Sequence, residues 1–249
     1  MMTRHLHALL APRSVAVFGA SDRPQRDGSA IWNRLSAEFK GTLYAVNPRL
    51  RQLGEHKVWH SVAELPQAPD LAVICTPAAT VPGLIGALGA RGCKAAVVVS
   101  AGLSESQKEA MLAAARPYSL RILGPDCTGL LVPHLGLNIS LAPVSAQPGS
   151  VAFVSQSAAL VTAMIDWAST RQIGFSHFIS LGEHTDVDFA DVLDYLASDA
   201  RTRAIMLYVE TLDAPRKFLS AARVAARNKP LIVVKGGQHR VELGDALGA

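Results

Sequence analysis

Short apolar, β-branched runs alternate along most of the chain with segments whose apolar residues recur every three or four positions. The first run is Ser14–Gly19, and in the segment after it Ile31, Leu35 and Phe39 are spaced four residues apart. The first pattern is typical of a buried strand and the second of one helix face. Further strand-like runs lie at 43–46, 71–75, 95–100 and 122–123. Strands regularly separated by helices predict an α/β fold with a parallel, doubly wound sheet.

A segment rich in turn-forming residues, from Pro143 to Gly149, interrupts this alternation before it starts again. The second series predicts strands at 151–154, 175–180, 204–209 and 231–234, and helices at 158–169, 188–197 and 214–227. The sequence therefore predicts two α/β domains, one over residues 1–143 and one over residues 150–249.

Composition is consistent with this fold and limits the partners. The chain has 249 residues, of which 49% are hydrophobic and 18% charged, enough for a sizeable core. Its formal net charge is +4, but lysines and arginines are scattered and no basic run contains interleaved aromatics. We therefore expect no nucleic-acid partner, while the excess charge would help to attract a small polyanion.

Cysteine usage and hydropathy indicate the compartment. Cys75, Cys93 and Cys127 are widely spaced and form no CxxC pair, which fits a reducing cytoplasm better than a disulfide framework. The N-terminal apolar run is too short for a signal peptide, and polar residues interrupt every later apolar stretch. The sequence predicts a cytoplasmic protein with no membrane contact.

The loop after the first strand is the first candidate ligand site, because ligands of parallel sheets bind at the carboxyl ends of strands. Gly19 allows a sharp turn, and Gly28 opens a helix whose free N–H groups suit an anion. Arg23 and Arg26 add forked donors. The alternative is a tight turn with solvated arginines.

This loop lacks the dinucleotide fingerprint G-x-G-x-x-G, since the glycine after Gly19 is Gly28. The second strand ends in Asn47-Pro48-Arg49, whereas an NAD site requires an acidic residue for the ribose hydroxyls. A phosphorylated ribose fits better. Both NADP and coenzyme A (CoA) carry one, so this feature leaves both open.

Motifs at the strand ends, taken together, resemble the CoA-binding domain of NDP-forming acyl-CoA synthetases, relatives of the succinyl-CoA ligase α subunit. These motifs are residues 18–21 with Gly28, 46–48, 75–78, 92–94, 100–102 and 124–129. Their order and spacing match over nearly the whole first domain. The resemblance implies a Rossmann-like domain that binds CoA or acetyl-CoA.

By this resemblance, the coenzyme would contact residues from every one of these loops. They are Gly19, Ala20, Ser21, Arg23, Gly28, Asn47, Pro48, Arg49, Thr76, Pro77, Ala101, Gly102, Cys127 and Asn138. The first loop would hold the phosphates, residues 47–49 would border the adenosine end, and Thr76 with Pro77 would line the adenine or pantetheine path. The turn 124–129, with Asn138, would lie near the thiol. Asp126 departs from the family's usual Asn.

The second domain continues the resemblance and implies a flavodoxin-like domain of the succinyl-CoA ligase type. Ser155, Gln156 and Ser157 lead from a strand into a helix, where hydroxyls and free N–H groups suit a phosphate or another anion. In the synthetases this helix start faces a phosphohistidine. A plain serine N-cap is the alternative. Glu210 matches the family's glutamate that steadies the phosphohistidine, and a solvated carboxylate is its alternative.

Ala158, together with segments 166–168, 174–176 and 178–182, most resembles one branch of this family. In that branch, bacterial protein lysine acetyltransferases carry a regulatory synthetase-like region fused to an acetyltransferase domain. The resemblance covers essentially the whole chain, although the chain contains no acetyltransferase domain.

No metal site is predicted. Asp186, Asp188 and Asp191 lie around the start of a predicted helix, where carboxylates offset the helix dipole, and they do not form a complete ligand set. His56 and His60 have ligand-like spacing, but their segment lacks further ligands for zinc.

The family's phosphohistidine follows the last strand within a Ser-His-Thr-Gly-like motif. Here the corresponding strand leads into Gly236-Gly237, and the neighbours of His239 do not match that motif. The chain also lacks an ATP-grasp domain, so ATP or ADP is expected only with an ATP-grasp partner. Alone, the chain is expected to bind its ligand without completing a turnover cycle.

Three hypotheses follow. The leading one is a CoA or acyl-CoA binding region that regulates a protein acetyltransferase. The second is the α-like part of an active ADP-forming acyl-CoA synthetase, an acid–thiol ligase. The third is an unrelated NADP-dependent oxidoreductase. Homo-oligomerisation is compatible with all three.

Overall fold

A computed structural model describes residues 5–141 and 145–236. Its helices are α1 Leu6–Leu10, α2 Asp27–Glu38, α3 Val81–Arg91, α4 Glu105–Ala115, α5 Ala158–Thr170, α6 Phe189–Ser198 and α7 Pro215–Asn228. Its strands are β1 Ser14–Phe18, β2 Thr42–Val46, β3 Gln52–Leu53, β4 His56–Trp59, β5 Leu71–Ile74, β6 Ala95–Val98, β7 Arg121–Leu123, β8 Gly129–Val132, β9 Leu137–Ser140, β10 Pro148–Ser155, β11 Phe175–Ser180, β12 Ala204–Val209 and β13 Leu231–Lys235. Pro143, Gly237 and His239, singled out in the sequence, lie outside the described residues.

The first sheet has the strand order β3-β4-β2-β1-β5-β6-β7. All its pairs are parallel except the short β3–β4 hairpin. Every residue of β1 is buried because helices cover both faces of a doubly wound sheet. The chain leaves β1 toward β2 on one side and later returns to β5 on the other, so the strand order reverses beside β1. The predicted parallel sheet is confirmed, and its switch point lies where the first loop begins.

The second sheet has the order β13-β12-β10-β11-β8-β9, with strands β10 to β13 parallel. β8 and β9 form an antiparallel hairpin, and β8 pairs antiparallel with β11. This hairpin falls within residues 1–143, expected to belong wholly to the first domain, yet it extends the second sheet. All eight of its strand residues are buried, so pairing with β11 satisfies backbone groups that water cannot reach. The division at 143–150 stays a prediction.

One apolar core connects the two sheets. Leu6, Leu9 and Leu10 of α1, a helix that the sequence analysis missed, are fully buried. They belong to the same core cluster as residues of β1 and of α6. Burying three leucine side chains stabilises the fold by about 2 kcal/mol each, which explains why five residues hold a helical turn. On the opposite face of the second sheet, α5 buries Val161, Ile165 and Ala168.

An ion-pair network also joins the two domains. Arg121, at the start of β7, contacts Asp186 Oδ2 at 3.0 Å and Asp191 Oδ2 at 2.9 Å. Lys217 of α7 lies 2.9 Å from both Asp188 Oδ2 and Asp191 Oδ1. Asp188 and Asp191 form a capping box at the start of α6 as well. The aspartates that follow β11 therefore balance partly buried cations and cap a helix.

Within the described ranges, no helix is both long and apolar enough to span a bilayer.

Candidate functional site

Three strand ends of the first sheet converge around the loop that follows β1. Gly19 N donates to Val46 O at 2.9 Å, and Asn47 Nδ2 donates to Ala20 O at 2.8 Å. Gly19 has a φ of +90°, and a Cβ on it would lie 2.6 Å from Cys75 O, at the end of β5. Because both the conformation and the contact exclude a side chain, glycine is required here. The loop is thereby fixed between the ends of β2 and β5.

Helix α2 begins directly against this loop. A Cβ on Gly28 would lie only 2.0 Å from Gly19 O, so the helix start approaches the loop backbone as closely as glycine allows. The N-cap residue Arg26 makes no side-chain cap hydrogen bond. Arg23 and Arg26 are both exposed. The result is a backbone cradle at an uncapped helix N-terminus, flanked by two guanidinium groups, which suits a phosphate.

The polar side chains around the cradle hold the loops together. Asn47 Oδ1 accepts from Arg49 N at 2.9 Å, so its amide links the two loops through both ends. Ser21 Oγ accepts from Arg23 N at 3.1 Å. Pro48 and Arg49 are exposed beside the cradle. Of the residues implied to bind the adenosine end, Asn47 thus has a structural role in this arrangement, and Arg49 is the charged group available to a ligand.

The middle of the carboxyl edge is formed by the ends of β5 and β6. Thr76 Oγ1 accepts from Thr80 Oγ1 at 2.8 Å, and Ser100 Oγ donates to Thr76 O at 2.6 Å. Pro77, Ala101 and Gly102 are exposed at this edge. The edge therefore offers an open path from the cradle toward β7.

The turn Gly124–Gly129, after β7, docks onto the second domain. Glu183 N donates to Pro125 O at 3.0 Å, and Thr185 Oγ1 donates to Gly124 O at 3.0 Å. Thr128 N donates to Ser180 Oγ at 3.1 Å. We call this junction of the turn 124–129 with residues 180–185 the seam. Since β1 and β7 are three strand spacings apart in the sheet, the seam lies roughly 14 Å from the cradle.

Two residues implied to lie near the thiol are buried. Cys127 is 2% exposed, and burial, with a smaller effect of the nearby Asp126 carboxylate, raises the pKa of its thiol to about 12. Asn138 is 3% exposed, its Oδ1 accepts from Ser140 Oγ at 2.8 Å, and its Nδ2 donates to Ser145 Oγ at 3.4 Å. Cys127 is therefore a protonated core thiol, and the Asn138 amide is engaged within the protein. Asp126, between these elements, is exposed.

The predicted anion site at the second domain is closed by its own side chains. Ser155 is fully buried and its Oγ accepts from Ser157 N at 3.0 Å, while Ser157 Oγ caps α5 by accepting from Leu160 N at 3.3 Å. Gln156 Oε1 accepts from Glu210 N at 2.6 Å and from Thr211 N at 3.1 Å. The serine N-cap, given above as the alternative, is what the geometry contains. The groups left for an anion are backbone N–H groups at the first turn of α5.

Sequence reasoning missed the histidine of the adjacent loop. A cleft of about 180 Å³ is lined by Gln156, His184, Thr185 and Asp213 among others. His184 Nδ1 lies 3.3 Å from Asp213 Oδ2. Glu210, three residues before Asp213, is exposed at the end of β12. His184 has a φ of +40°, in a region that is uncommon for residues other than glycine but in which His, Asn and Asp are enriched. Its position four residues after a predicted strand, in the loop at the carboxyl end of that strand, was the signal that could have identified it.

Comparison with protein families identifies both halves of the chain. Residues 13–133 match the CoA binding domain family, and residues 148–246 match the succinyl-CoA ligase like flavodoxin domain family. Together the two matches cover most of the chain.

Known relatives match along almost its full length. The chain is 36% identical to the ADP-forming acetate–CoA ligase I of Archaeoglobus fulgidus, over 94% of this chain and 35% of that protein. It is 36% identical to the alpha subunit of ADP-forming acetate–CoA ligase I from Pyrococcus furiosus, over 94% of this chain and 53% of the subunit. The chain thus spans about a third to a half of these relatives.

A solved structure agrees. The dinucleotide forming acetyl-coenzyme A synthetase 1 of Ca. Korarchaeum cryptofilum, in complex with phosphate and ADP, superposes with a TM-score of 0.89 at 36% identity. The superposition covers 93% of this chain and 52% of that one. The chain is therefore a Rossmann-like CoA-binding domain followed by a flavodoxin-like domain of the succinyl-CoA ligase type, homologous to the alpha subunits of ADP-forming acetate–CoA ligases.

Proposed function

We propose that this chain is the CoA-binding part of an ADP-forming acyl-CoA synthetase, which joins a carboxylic acid to the thiol of CoA. The observation that carries the proposal is the cradle formed by Gly19 and Gly28 at the start of α2. A Cβ on Gly19 would meet Cys75 O and one on Gly28 would meet Gly19 O, so the two glycines let the loop backbone pack directly against the start of α2, where free N–H groups are available to a phosphate. The residues present therefore fit the coenzyme.

In this proposal each part of the carboxyl edge has a role. The N–H groups at the start of α2, with Arg23 and Arg26, hold the phosphates, because an uncapped helix start and guanidinium groups both favour anions. The pantetheine arm lies along the ends of β5 and β6, past Thr76. Its thiol reaches the seam, where the turn Gly124–Gly129 contacts the second domain. To reach the seam from the cradle, the arm must cover about three strand spacings.

The complete reaction needs parts beyond the described residues. By the resemblance described above, phosphoryl transfer from ATP would require an ATP-grasp subunit or domain and a histidine within a Ser-His-Thr-Gly-like motif, and residues 5–141 and 145–236 contain neither. The proposed role of this chain is accordingly to bind CoA and to present its thiol. Glu210 and the start of α5 lie at the carboxyl edge of the second sheet. In this proposal the ATP-grasp partner delivers the phosphoryl group at that edge.

A regulatory role beside a protein acetyltransferase, the leading hypothesis of the sequence analysis, has weaker support. The relatives described above are acid–CoA ligases, and neither of the two family matches is an acetyltransferase domain. The ligase interpretation, given there as the second hypothesis, is the one we adopt. The proposed location stays the cytoplasm.

Calorimetric titration tests the ligand. CoA and acetyl-CoA should bind the full chain, and NADPH should bind more weakly or not at all. Arg23→Ala should weaken CoA binding roughly tenfold, and its salt dependence should fall because one charge-assisted contact is lost. Arg91→Ala, which removes an arginine whose Nη2 donates to Leu65 O away from the cradle, is the matched control. Tighter binding of NADPH than of CoA would favour the oxidoreductase hypothesis.

A further inference from the structure

The exposed carboxylate at the tip of the seam turn has no role so far. Asp126 lies between Pro125, whose carbonyl contacts the second domain, and the buried Cys127. Within residues 5–141 and 145–236 its side chain makes no hydrogen bond and no ion pair. Lys108, the lysine that reaches the seam, is paired with Glu183 and with Glu105. The charge of Asp126 is therefore uncompensated at the reacting end of the proposed coenzyme path.

The backbone of Asp126 is also unusual. Its φ is +53°, in the left-handed region that few residues other than glycine adopt, although Asp and Asn tolerate it better than most. Asp126 N donates to Ser100 O at 3.4 Å, which holds the turn in this conformation above the end of β6. The turn therefore holds the exposed Asp126 in a defined backbone conformation, and its carboxylate is available for contact with a ligand.

A carboxylate distinguishes the two forms of the coenzyme by chemistry alone. Free CoA ends in a thiol, which is protonated at neutral pH and can donate a hydrogen bond to a carboxylate. Acetyl-CoA ends in a thioester, whose carbonyl and sulfur are acceptors only. A carboxylate beside the thioester carbonyl is therefore repulsive, whereas an amide in the same place could donate to it.

We propose that Asp126 makes this coenzyme site favour the free thiol of CoA over the thioester of acetyl-CoA. The inference rests on the proposed function, because it requires the coenzyme to lie along the carboxyl edge with its reacting end at the seam. In the direction of synthesis, such a preference retains the nucleophile and promotes release of the acyl-CoA product. The same carboxylate already disfavours the thiolate of its neighbour Cys127, whose pKa is raised first by burial and then by Asp126.

The test compares the affinities of CoA and acetyl-CoA for the wild-type chain and for Asp126→Asn. Asparagine keeps the size of the side chain and tolerates the left-handed backbone, so the fold should be retained. The ratio of the acetyl-CoA dissociation constant to the CoA dissociation constant should fall roughly tenfold in the variant, the effect of one hydrogen bond involving a charged group. Desulfo-CoA, which has neither group, should bind both proteins equally.

Asp22→Asn is the matched control. Asp22 is an exposed aspartate in the loop of the cradle, at the phosphate end of the proposed path. Removing its charge should change the affinities for CoA and acetyl-CoA by the same factor and leave their ratio unchanged. An equal change of the ratio in both variants would overturn the proposal, because it would reflect the overall charge. So would an unchanged ratio in Asp126→Asn. If no coenzyme binds any of the three proteins, the proposed function itself fails and this inference falls with it.

Discussion

Both domains contain a strand, a loop and a helix start at the carboxyl edge of a parallel sheet, but they use that arrangement in opposite ways. In the first domain the start of α2 has no side-chain cap, and Gly19 and Gly28 let the loop backbone pack closely against it. In the second domain Ser157 caps α5, and Gln156 is fully engaged with the turn after β12. The N–H groups at the start of α2 have no side-chain partner among the described residues, whereas those at the start of α5 include one that bonds to the Ser157 side chain. The same motif in sequence therefore carries different chemistry.

The strongest test of this contrast is to close the open site. Gly28→Ala places a methyl group 2.0 Å from Gly19 O, so the loop or the helix must move. We expect CoA binding to be lost and the free energy of unfolding to fall by about 3 kcal/mol or more, as in other overpacked sites. Urea unfolding and calorimetric titration measure the two effects.

Gly83→Ala is the control for this substitution. A Cβ on Gly83, in the first turn of α3, meets no atom within 4 Å. The change should leave CoA affinity unaltered and stabilise the helix by roughly 0.5–1 kcal/mol. If Gly28→Ala behaves like Gly83→Ala, the cradle is not the ligand site.

The two domains also differ in where they place ionisable groups. The arginines of the first-domain loop are exposed, whereas His177 of the second domain is buried and should make the free energy of unfolding depend on pH. His177 is 1% exposed, and burial lowers its pKa to about 4, although Asp199, 3.8 Å away, opposes this. The unfolded chain binds a proton near pH 6.5 and the folded chain near 4. The contribution of the neutral imidazole to stability is therefore complete above pH 6.5 and is lost as the pH falls toward 4, by about 2–3 kcal/mol.

His177→Gln should flatten the dependence of the free energy of unfolding on pH between 7.5 and 4.5, measured in urea. His7→Gln, which changes an exposed histidine of α1, is the matched control. A variant at position 177 with an unaltered pH dependence would contradict a buried neutral imidazole.

Much of the fold could be read from the sequence because buried parallel strands are continuous apolar runs. The strands at Phe175–Ser180 and Ala204–Val209 have the predicted bounds. Strands β8 and β9 were not among the predicted strands, and the pairing of β8 with β11, which is distant along the chain, places their hairpin in the second sheet. The short α1 was missed because five residues carry too little helical periodicity.

The candidate site divides in the same way. The roles of Gly19 and Gly28 in the loop were predictable, because only glycine allows backbones to approach as closely as they do here. The use of Asn47, Asn138 and Gln156 could not be predicted, since an amide that binds a ligand and one that joins two loops look alike in sequence. Their partners, such as Thr211 for Gln156, are distant along the chain.

The smallest expected effect tests whether the second helix start is closed to ligands. Ser157→Ala removes the cap of α5 and should lower the free energy of unfolding by about 1 kcal/mol. Ser104→Ala, which removes the capping-box serine of α4, should cost a similar amount. Because the Ser157 hydroxyl is occupied by Leu160 N, its loss should leave the affinity for inorganic phosphate unchanged relative to Ser104→Ala. A selective loss of phosphate binding in Ser157→Ala would mean that this hydroxyl leaves Leu160 N and binds the ligand. Both helix starts could then hold an anion, and the two domains would differ only in whether the site is closed in the absence of ligand.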